Sequence, residues 1–437
     1  MIKRDTPVER ALVLHPRFSN VRSSDADYDL EEAVGLAEAL GVETMAARIV
    51  PIRDLKVSNF FGSGQIAEIG SQLKAHDASV VIVNGSLSPV QQRNLERIWK
   101  AKVIDRTGLI LEIFGLRAAT KEGKLQVELA RQRYERSRLV RTWTHLERQR
   151  GGTGGLAGPG ETQIESDRRV LSEKMTKLKR ELEQVRRTRG LQRQKRKRAP
   201  ERVVALVGYT NAGKSTLFNL LTEGGVFAKD MLFATLDTTH RILTLPSGQP
   251  AVLSDTVGFI SDLPTDLIDS FRATLEEVKE ADLLIHVRDI SDPLTERRRE
   301  EVMQVLDQIG AGPEHNQDIM EVWNKMDLLG DVQKDSIAER SEASQQLEDM
   351  IPAFPVSCHK KTGLESLQQG IEDMLTKGDE IISVEIPPQK YDVRAWLHKN
   401  GHVISEKTRR NGNCEMDVRL SDSDAGKLRA RHSDLVT

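Results

Sequence analysis

The sequence predicts a multidomain α/β protein, and three observations carry that prediction. Short apolar runs alternate with amphipathic stretches near the N-terminus and again beyond residue 201. Between them lie two long basic stretches without proline, and a glycine-rich loop of strand–loop–helix type follows. With 437 residues, 38% hydrophobic and 30% charged, the chain is too long for one ordinary core and too apolar for wholesale disorder. The expected organisation is an N-terminal α/β domain over 1–116, a basic antiparallel helical hairpin over 117–200, a second α/β domain with a central, mostly parallel sheet over 201–378, and a small α+β domain over 379–437.

In the first region ALVLH and SVVIVNG read as strands, and DLEEAVGLAEAL and PVQQRNLERIW as helices. Gly62-Ser63-Gly64 opens a helix there; such an entry is either a tight packed turn or a cradle of free amides for a phosphate. The stretches 121–150 and 164–198 are rich in Arg, Lys, Glu, Gln and Leu, which argues for two long helices. In the second, Leu171, Met175, Leu178, Leu182 and Val185 recur at coiled-coil steps. Their expected partners are Leu125, Leu129, Leu139, Trp143 and Leu146 of the first.

Between the helices lies GGTGGLAGPG, residues 151–160, whose six glycines cannot contribute to a core. It is a linker, or a slim tip able to enter a narrow, phosphate-walled cavity. Charge favours a polyanion nearby. Residues 117–200 hold 24 Lys and Arg against 10 Asp and Glu, whereas the whole chain carries only -2. One segment is thus the electrostatic handle, with RNA as the natural partner and a solvated helical face as the plainer reading.

Two cysteines, Cys358 and Cys414, are too few and too far apart for a disulfide framework or zinc cluster, and fit a reducing compartment. No apolar stretch approaches the roughly 18 residues of a membrane span, and MIKRDTPVER lacks the apolar region of a signal peptide. A cytoplasmic monomer is expected. Beyond Ile381 the text IISVEI, VRAWLHK, GHVISEKT and CEMDVRLS alternates like a small sheet, with Arg409, Arg410, Asn411 and Gly412 as a hairpin turn.

The chemistry lies in the second α/β region. The strand VVALVG runs into Gly208-Tyr209-Thr210-Asn211-Ala212-Gly213-Lys214-Ser215 and then into the helix TLFNLLTE, the setting a P-loop requires. Gly208 and Gly213 let the backbone wrap a β-phosphate, Lys214 bridges β- and γ-phosphates, and Ser215 ligates Mg²⁺. After the strand AVLSD come Asp255-Thr256-Val257-Gly258, in which Asp255 holds Mg²⁺ through water and the Gly258 amide reaches the γ-phosphate. Asn324-Lys325-Met326-Asp327 selects the base, because a carboxylate accepts two hydrogen bonds from guanine N1 and N2 and adenine offers no such pair. Ser357-Cys358 would complete the base pocket. Between the P-loop and Asp255 runs Phe233-Ala234-Thr235-Leu236-Asp237-Thr238-Thr239, where three threonines compete for the role of sensing γ-phosphate and Mg²⁺.

On GGTGGLAGPGETQIESDRR, GYTNAGKSTLFN, LFATLDTT and DTVGFI, nearly the whole chain resembles the HflX family of ribosome-associated GTPases, in the Obg-like branch of translation-factor-class P-loop proteins. The resemblance implies GTP as substrate and GDP as product, with Thr235 ligating Mg²⁺ and residues Phe233 to Asp237 bordering the nucleotide. It also implies association with the large ribosomal subunit, splitting or rescue of stalled ribosomes or assistance in assembly, and entry of the hairpin tip near the peptidyl-transferase region. The chain departs from the family at Thr238, where proline is usual, at Cys358, where alanine is usual, and at Gln65, where lysine is common.

Ras-like switches place a glutamine after the glycine of the Asp255–Gly258 motif to orient the attacking water. Here that position is Phe259, which predicts slow intrinsic hydrolysis accelerated by a partner. Asn211 either ligates a monovalent cation such as K⁺ or packs the helix start. Two other classes compete: a GTPase module assisting tRNA modification, and a GTP-timed coiled-coil scaffold for protein interaction.

Overall fold

The computed structural model describes residues 9–18, 23–147, 159–196, 202–222, 233, 238–260, 277–347 and 349–436. The N-terminal α/β unit comprises β1 (Arg10–Phe18), α1 (Ser23–Leu40), β2 (Glu43–Ile52), α2 (Ser63–Ala75), β3 (Val80–Val83), α3 (Pro89–Trp99), β4 (Lys102–Asp105) and α4 (Arg106–Arg117). Its strands pair in parallel in the order β2-β1-β3-β4. The apolar run of β3, buried at every residue, is what a parallel strand covered on both faces demands. At the Gly62 entry to α2, Gln65 Oε1 takes the Gly62 N–H at 3.0 Å while Gln65 Nε2 donates to the Pro51 carbonyl at 2.8 Å. The side chain that replaces the family's usual lysine therefore caps the helix itself.

The two basic helices are α5 (Lys121–Glu147) and α6 (Pro159–Arg196). The second begins ahead of the expected Ile164 because proline is tolerated in a first helical turn, where its missing N–H would be unpaired anyway. They pack together: Leu129, Met175 and Leu182 are buried, Leu125, Leu171, Leu178 and Val185 are half-buried, and Lys174 Nζ lies 2.7 Å from Glu128 Oε1. The side chains of Leu139, Trp143 and Leu146 and tip residues 151–158 lie outside the described residues.

The nucleotide-type unit contains β5 (Arg202–Val207), α7 (Lys214–Leu221), β6 (Thr239–Thr244), β7 (Pro250–Asp255), β8 (Leu283–Asp289), α8 (Thr295–Ile309), β9 (Asp318–Asn324), α9 (Asp331–Gln346), β10 (Ala353–Pro355) and α10 (Leu364–Leu375). The strand order is β10-β9-β8-β5-β7-β6, parallel except for the β6–β7 pair. From β5 the chain goes to one side through β7 and to the other through β8, so the end of β5 is a topological switch point, where α/β sheets bind ligands.

The last unit is an antiparallel sheet, order β11-β13-β12, of β11 (Glu380–Ile386), β12 (His402–Thr408) and β13 (Cys414–Leu420), covered by α11 (Tyr391–Asn400) and α12 (Asp422–His432). The turn at 409–413 closes as expected, with the Gly412 N–H donating to Arg409 O at 3.0 Å. VRAWLHK, read as part of the alternating strand text, is instead helical. Val393 and Leu397, four residues apart and both buried, put one face of α11 on the sheet. No helix among the described residues is long and apolar enough to cross a membrane.

Candidate functional site

The P-loop leaves the switch-point end of β5 and enters α7 at Lys214. Gly208, at φ +142°, and Gly213, at +97°, adopt conformations that side chains rarely tolerate. A Cβ on Gly208 would stand 2.2 Å from the Val287 carbonyl oxygen, and one on Gly213 would stand 2.2 Å from Asn324 Nδ2. Both glycines are thus required by neighbouring strand ends as well as by the turn.

Lys214 is buried, and its ammonium donates to the carbonyls of Gly208 at 2.9 Å and Tyr209 at 2.7 Å. Burial pulls its pKa down to about 8, against the opposing pull of Asp255. Ser215 Oγ donates to Asp255 Oδ2 at 2.7 Å, so α7 and the end of β7 bring together the hydroxyl and carboxylate singled out from the sequence. Thr256 Oγ1 is turned away, onto the Leu206 carbonyl at 2.6 Å. Beyond Val257 and Gly258, Phe259 pairs in parallel with Tyr209. The Thr210 N–H donates to Phe259 O at 2.7 Å, and the Phe259 N–H to Gly208 O at 3.1 Å.

The other side of the loop faces the ends of β9 and β10. Buried Asn324 donates through Nδ2 to Ala212 O at 2.9 Å and accepts the Cys358 N–H on Oδ1 at 3.1 Å, tying three loops together. The Met326 N–H reaches Val356 O at 3.2 Å. Ser357 Oγ donates to Asp327 Oδ1 at 2.5 Å, and this hydrogen bond chiefly holds the Asp327 carboxyl below the usual range, so it stays anionic. Burial, reinforced by Asp327, pushes the Cys358 thiol up to about 12 and leaves it protonated. Lys325, at φ +66°, extends to Asp289 Oδ2 at 2.7 Å.

Phe233 is buried 4.6 Å, ring to ring, from Phe114 of α4 in an edge-to-face contact. Ala234, Thr235, Leu236 and Asp237 lie outside the described residues. Asn211 is exposed, at φ +61°. The sequence reading missed Asp289, whose only signal is an acid ending the apolar strand LLIHVRD. It also missed Glu32 and Arg298, which meet Tyr209.

Three family models match consecutive stretches: GTP-binding GTPase N-terminal over 27–115, GTP-binding GTPase Middle Region over 117–196, and 50S ribosome-binding GTPase over 203–325. The chain is 51% identical over 329 residues to GTPase HflX of Magnetococcus marinus, covering 75% of this chain and 76% of that one. It is 41% identical over 428 residues to GTPase HflX of Escherichia coli, covering 98% and 97%. Among solved structures, that of a complex of SsGBP and GDP is similar at TM-score 0.51 and 26% identity, covering 85% of this chain and 99% of the other. With relatives of that identity along nearly its entire length, the chain belongs to the HflX family and is a GTPase that binds and hydrolyses GTP.

Proposed function

We propose that this GTPase is a cytoplasmic switch on the large ribosomal subunit, where it alters ribosome state by splitting, rescue or assembly. The exposed cationic face of α6 carries the proposal. Arg168, Arg169, Lys174, Lys177, Lys179 and Arg180 all face solvent while Met175 and Leu182 are buried. Such a hairpin presents phosphate-binding charge along a rigid support. The match of residues 203–325 to a family described as 50S ribosome-binding GTPase favours the ribosome over another polyanion.

In this reading guanine N1 and N2 donate to Asp327, the Lys325 stem covers the base, and the amides from Gly208 to Ser215 surround the β-phosphate. Lys214 leaves the carbonyls of Gly208 and Tyr209 to reach the β- and γ-phosphates, and the Gly258 amide reads the γ-phosphate. The Ser215 hydroxyl at the start of α7 and the Asp255 carboxylate at the end of β7 are hard oxygen donors side by side, a donor set that fits Mg²⁺, Asp255 acting through water and Thr235 as a further ligand. Bound there, Mg²⁺ neutralises charge on the phosphate oxygens. Asn211, exposed in the loop, would ligate K⁺ or else pack the start of α7. Phe259, an apolar ring whose backbone is engaged by the P-loop, cannot orient water, so hydrolysis is slow until the ribosome supplies or reorders a group.

Sedimentation with purified large subunits in a non-hydrolysable GTP analogue tests the partner. Association should fall when residues 151–160 are deleted. Association that survives the deletion and is simply erased by moderate salt would reduce the hairpin to a nonspecific polycation. Turnover that is already fast alone and unchanged by ribosomes would sink the activation.

A further inference from the structure

We propose that Glu32, a residue of the N-terminal unit, is a positioning residue for the γ-phosphate side of the nucleotide site and acts through the Tyr209 ring of the P-loop. The proposal rests on the reading of the P-loop and Gly258 as the γ-phosphate site.

Glu32 lies on α1, far in sequence from the P-loop, yet its carboxylate is buried between the two units, with 7% of the side chain exposed. A carboxylate in that position is tolerable only when its oxygens are paired. Oε1 receives Arg106 Nη2 at 2.5 Å, a contact within the N-terminal unit. Oε2 receives the Tyr209 hydroxyl and lies 3.9 Å from Arg298 Nη2 of α8. The Arg298 guanidinium also stands over the Tyr209 ring, 4.5 Å from its centre. One buried charge therefore reaches full pairing only when the N-terminal unit is seated on the P-loop.

Tyr209 is also the residue that Phe259 pairs with. The two bridge hydrogen bonds, from Thr210 N–H to Phe259 O and from Phe259 N–H to Gly208 O, hold Gly258 tight against the P-loop. A Cβ on Gly258 would come within 2.9 Å of Thr210 Cγ2 and 3.0 Å of Lys214 Nζ. In the proposed coupling, the Gly258 amide and the Lys214 ammonium turn toward a γ-phosphate, and because Phe259 follows Gly258 directly, that turn loosens the bridge. A second contact biases the same segments in the same direction. Phe233 packs on Phe114, and Val257, Phe259 and Ile260 share one buried apolar cluster with Ala33, Leu36, Ile110 and Phe114. Both segments that sense the γ-phosphate thus lean on the N-terminal unit.

The seated N-terminal unit favours GDP over GTP by stabilising the bridge. By reciprocity, a partner that lifts the unit raises the relative affinity for GTP by the same factor. Couplings of this kind are typically about 5–150-fold.

The test uses the full-length protein and fluorescent GDP and a fluorescent non-hydrolysable GTP analogue, with Mg²⁺ present. Glu32→Gln keeps the size of the side chain and removes its charge; Tyr209→Phe removes only the hydroxyl. Each should lower the ratio of the GTP-analogue Kd to the GDP Kd by about tenfold, and the double variant should go no further than either single one, because both break the same link. Should Glu32→Gln fail to fold, Tyr209→Phe decides alone. A ratio that stays within twofold of the parent, or effects that add in the double variant, would overturn the role of Glu32. If the parent protein binds neither nucleotide, the site assignment itself falls; if it binds both and the ratio is unmoved, the site stands and only the coupling is lost.

Discussion

The guanine side of the site and its phosphate side are both built from strand-end loops, but their polar groups are committed differently. On the guanine side Asn324, Asp327, Ser357 and Cys358 hold one another, and these bonds leave Asp327 anionic. On the phosphate side Lys214, Ser215 and the Phe259 backbone spend their hydrogen bonds on the P-loop and Asp255, partners that a nucleotide would displace if the site is read as proposed. In the proposed reading, base selection is therefore preorganised, whereas phosphate engagement is an exchange of contacts. The difference teaches where binding energy would go: on the proposed assignment, recognition of guanine costs little reorganisation, and a γ-phosphate would have to reorganise what it binds.

The largest break in this comparison comes from Asp327. Two hydrogen bonds to a carboxylate contribute about 1.5–3 kcal/mol each, so Asp327→Ala should weaken GTP and GDP alike by on the order of a hundredfold or more. Asp327→Asn should recover binding with xanthosine triphosphate, whose O2 accepts from the new amide. Titration calorimetry with the three nucleotides reads both effects. Guanine preference that persists in Asp327→Asn would place base reading elsewhere.

Next in size is an acid sensitivity under the P-loop, at the adjoining strands β8 and β9. Burial opposes ionisation of Glu321, but Arg288, His286, Trp323 and Arg299 together hold its pKa near about 2, below the usual 4.5. Burial is also the main reason that His286 titrates near about 4 rather than 6.5, with Arg288 and Arg299 acting in the same direction and Glu321 against it. Both folded values are depressed. The Glu321 contribution is present above its unfolded pKa and is lost as pH falls from 4.5 toward 2. His286 is kept neutral while the unfolded chain takes up its proton, so stability also falls between pH 6.5 and 4. A displacement of that size corresponds to about 3 kcal/mol for the histidine. The thermal midpoint should drop steadily over the upper window, and His286→Gln should flatten that slope. An unchanged slope in the variant would assign the acid loss to other groups.

A smaller effect joins the two sides. Gly213→Ala would strain a +97° φ and drive a Cβ into the amide of Asn324, at a cost of about 2 kcal/mol from the backbone and the displaced side chain. Because Asn324 also holds Cys358, this phosphate-loop variant should disturb base selection too, reducing the guanine-over-adenine ratio as well as affinity. A variant that loses affinity with full base selectivity would show that the sides are independent.

Much of this was legible in the residues, for physical reasons. The α/β class and the motif loops follow from local rules: apolar runs of strand length, glycines where the backbone must turn, and acids at strand ends. VRAWLHK misled because a short apolar-polar run carries both periods, and only the sheet beneath Val393 and Leu397 chooses the helix. Gln65 reads only as a departure from a common lysine until its two hydrogen bonds show it capping α2. The Glu32–Tyr209 pair lies 177 residues apart, and no local pattern announces it. Phe259 was readable as the absence of a glutamine, but its backbone bridge to the P-loop was not.

The smallest effect probes how rigid the guanine side is. Lys325 holds a left-handed backbone conformation, and its ammonium is fixed by Asp289 while both side chains stay partly exposed. Ion pairs with that much solvent contact contribute about 1 kcal/mol or less. Asp289→Asn keeps the acceptor that serves the Ser291 N–H at 3.0 Å and removes the charge and the Oδ2 that accepts from Lys325. If the lysine stem is preorganised over the base by this pair, GDP and GTP should both weaken by about threefold to fivefold, with their ratio unchanged, because the pair lies on the guanine side. A change in the GDP-to-GTP ratio would mean that Asp289 communicates with the switch segments, and the division between a fixed guanine side and an exchanging phosphate side would have to be redrawn through β8.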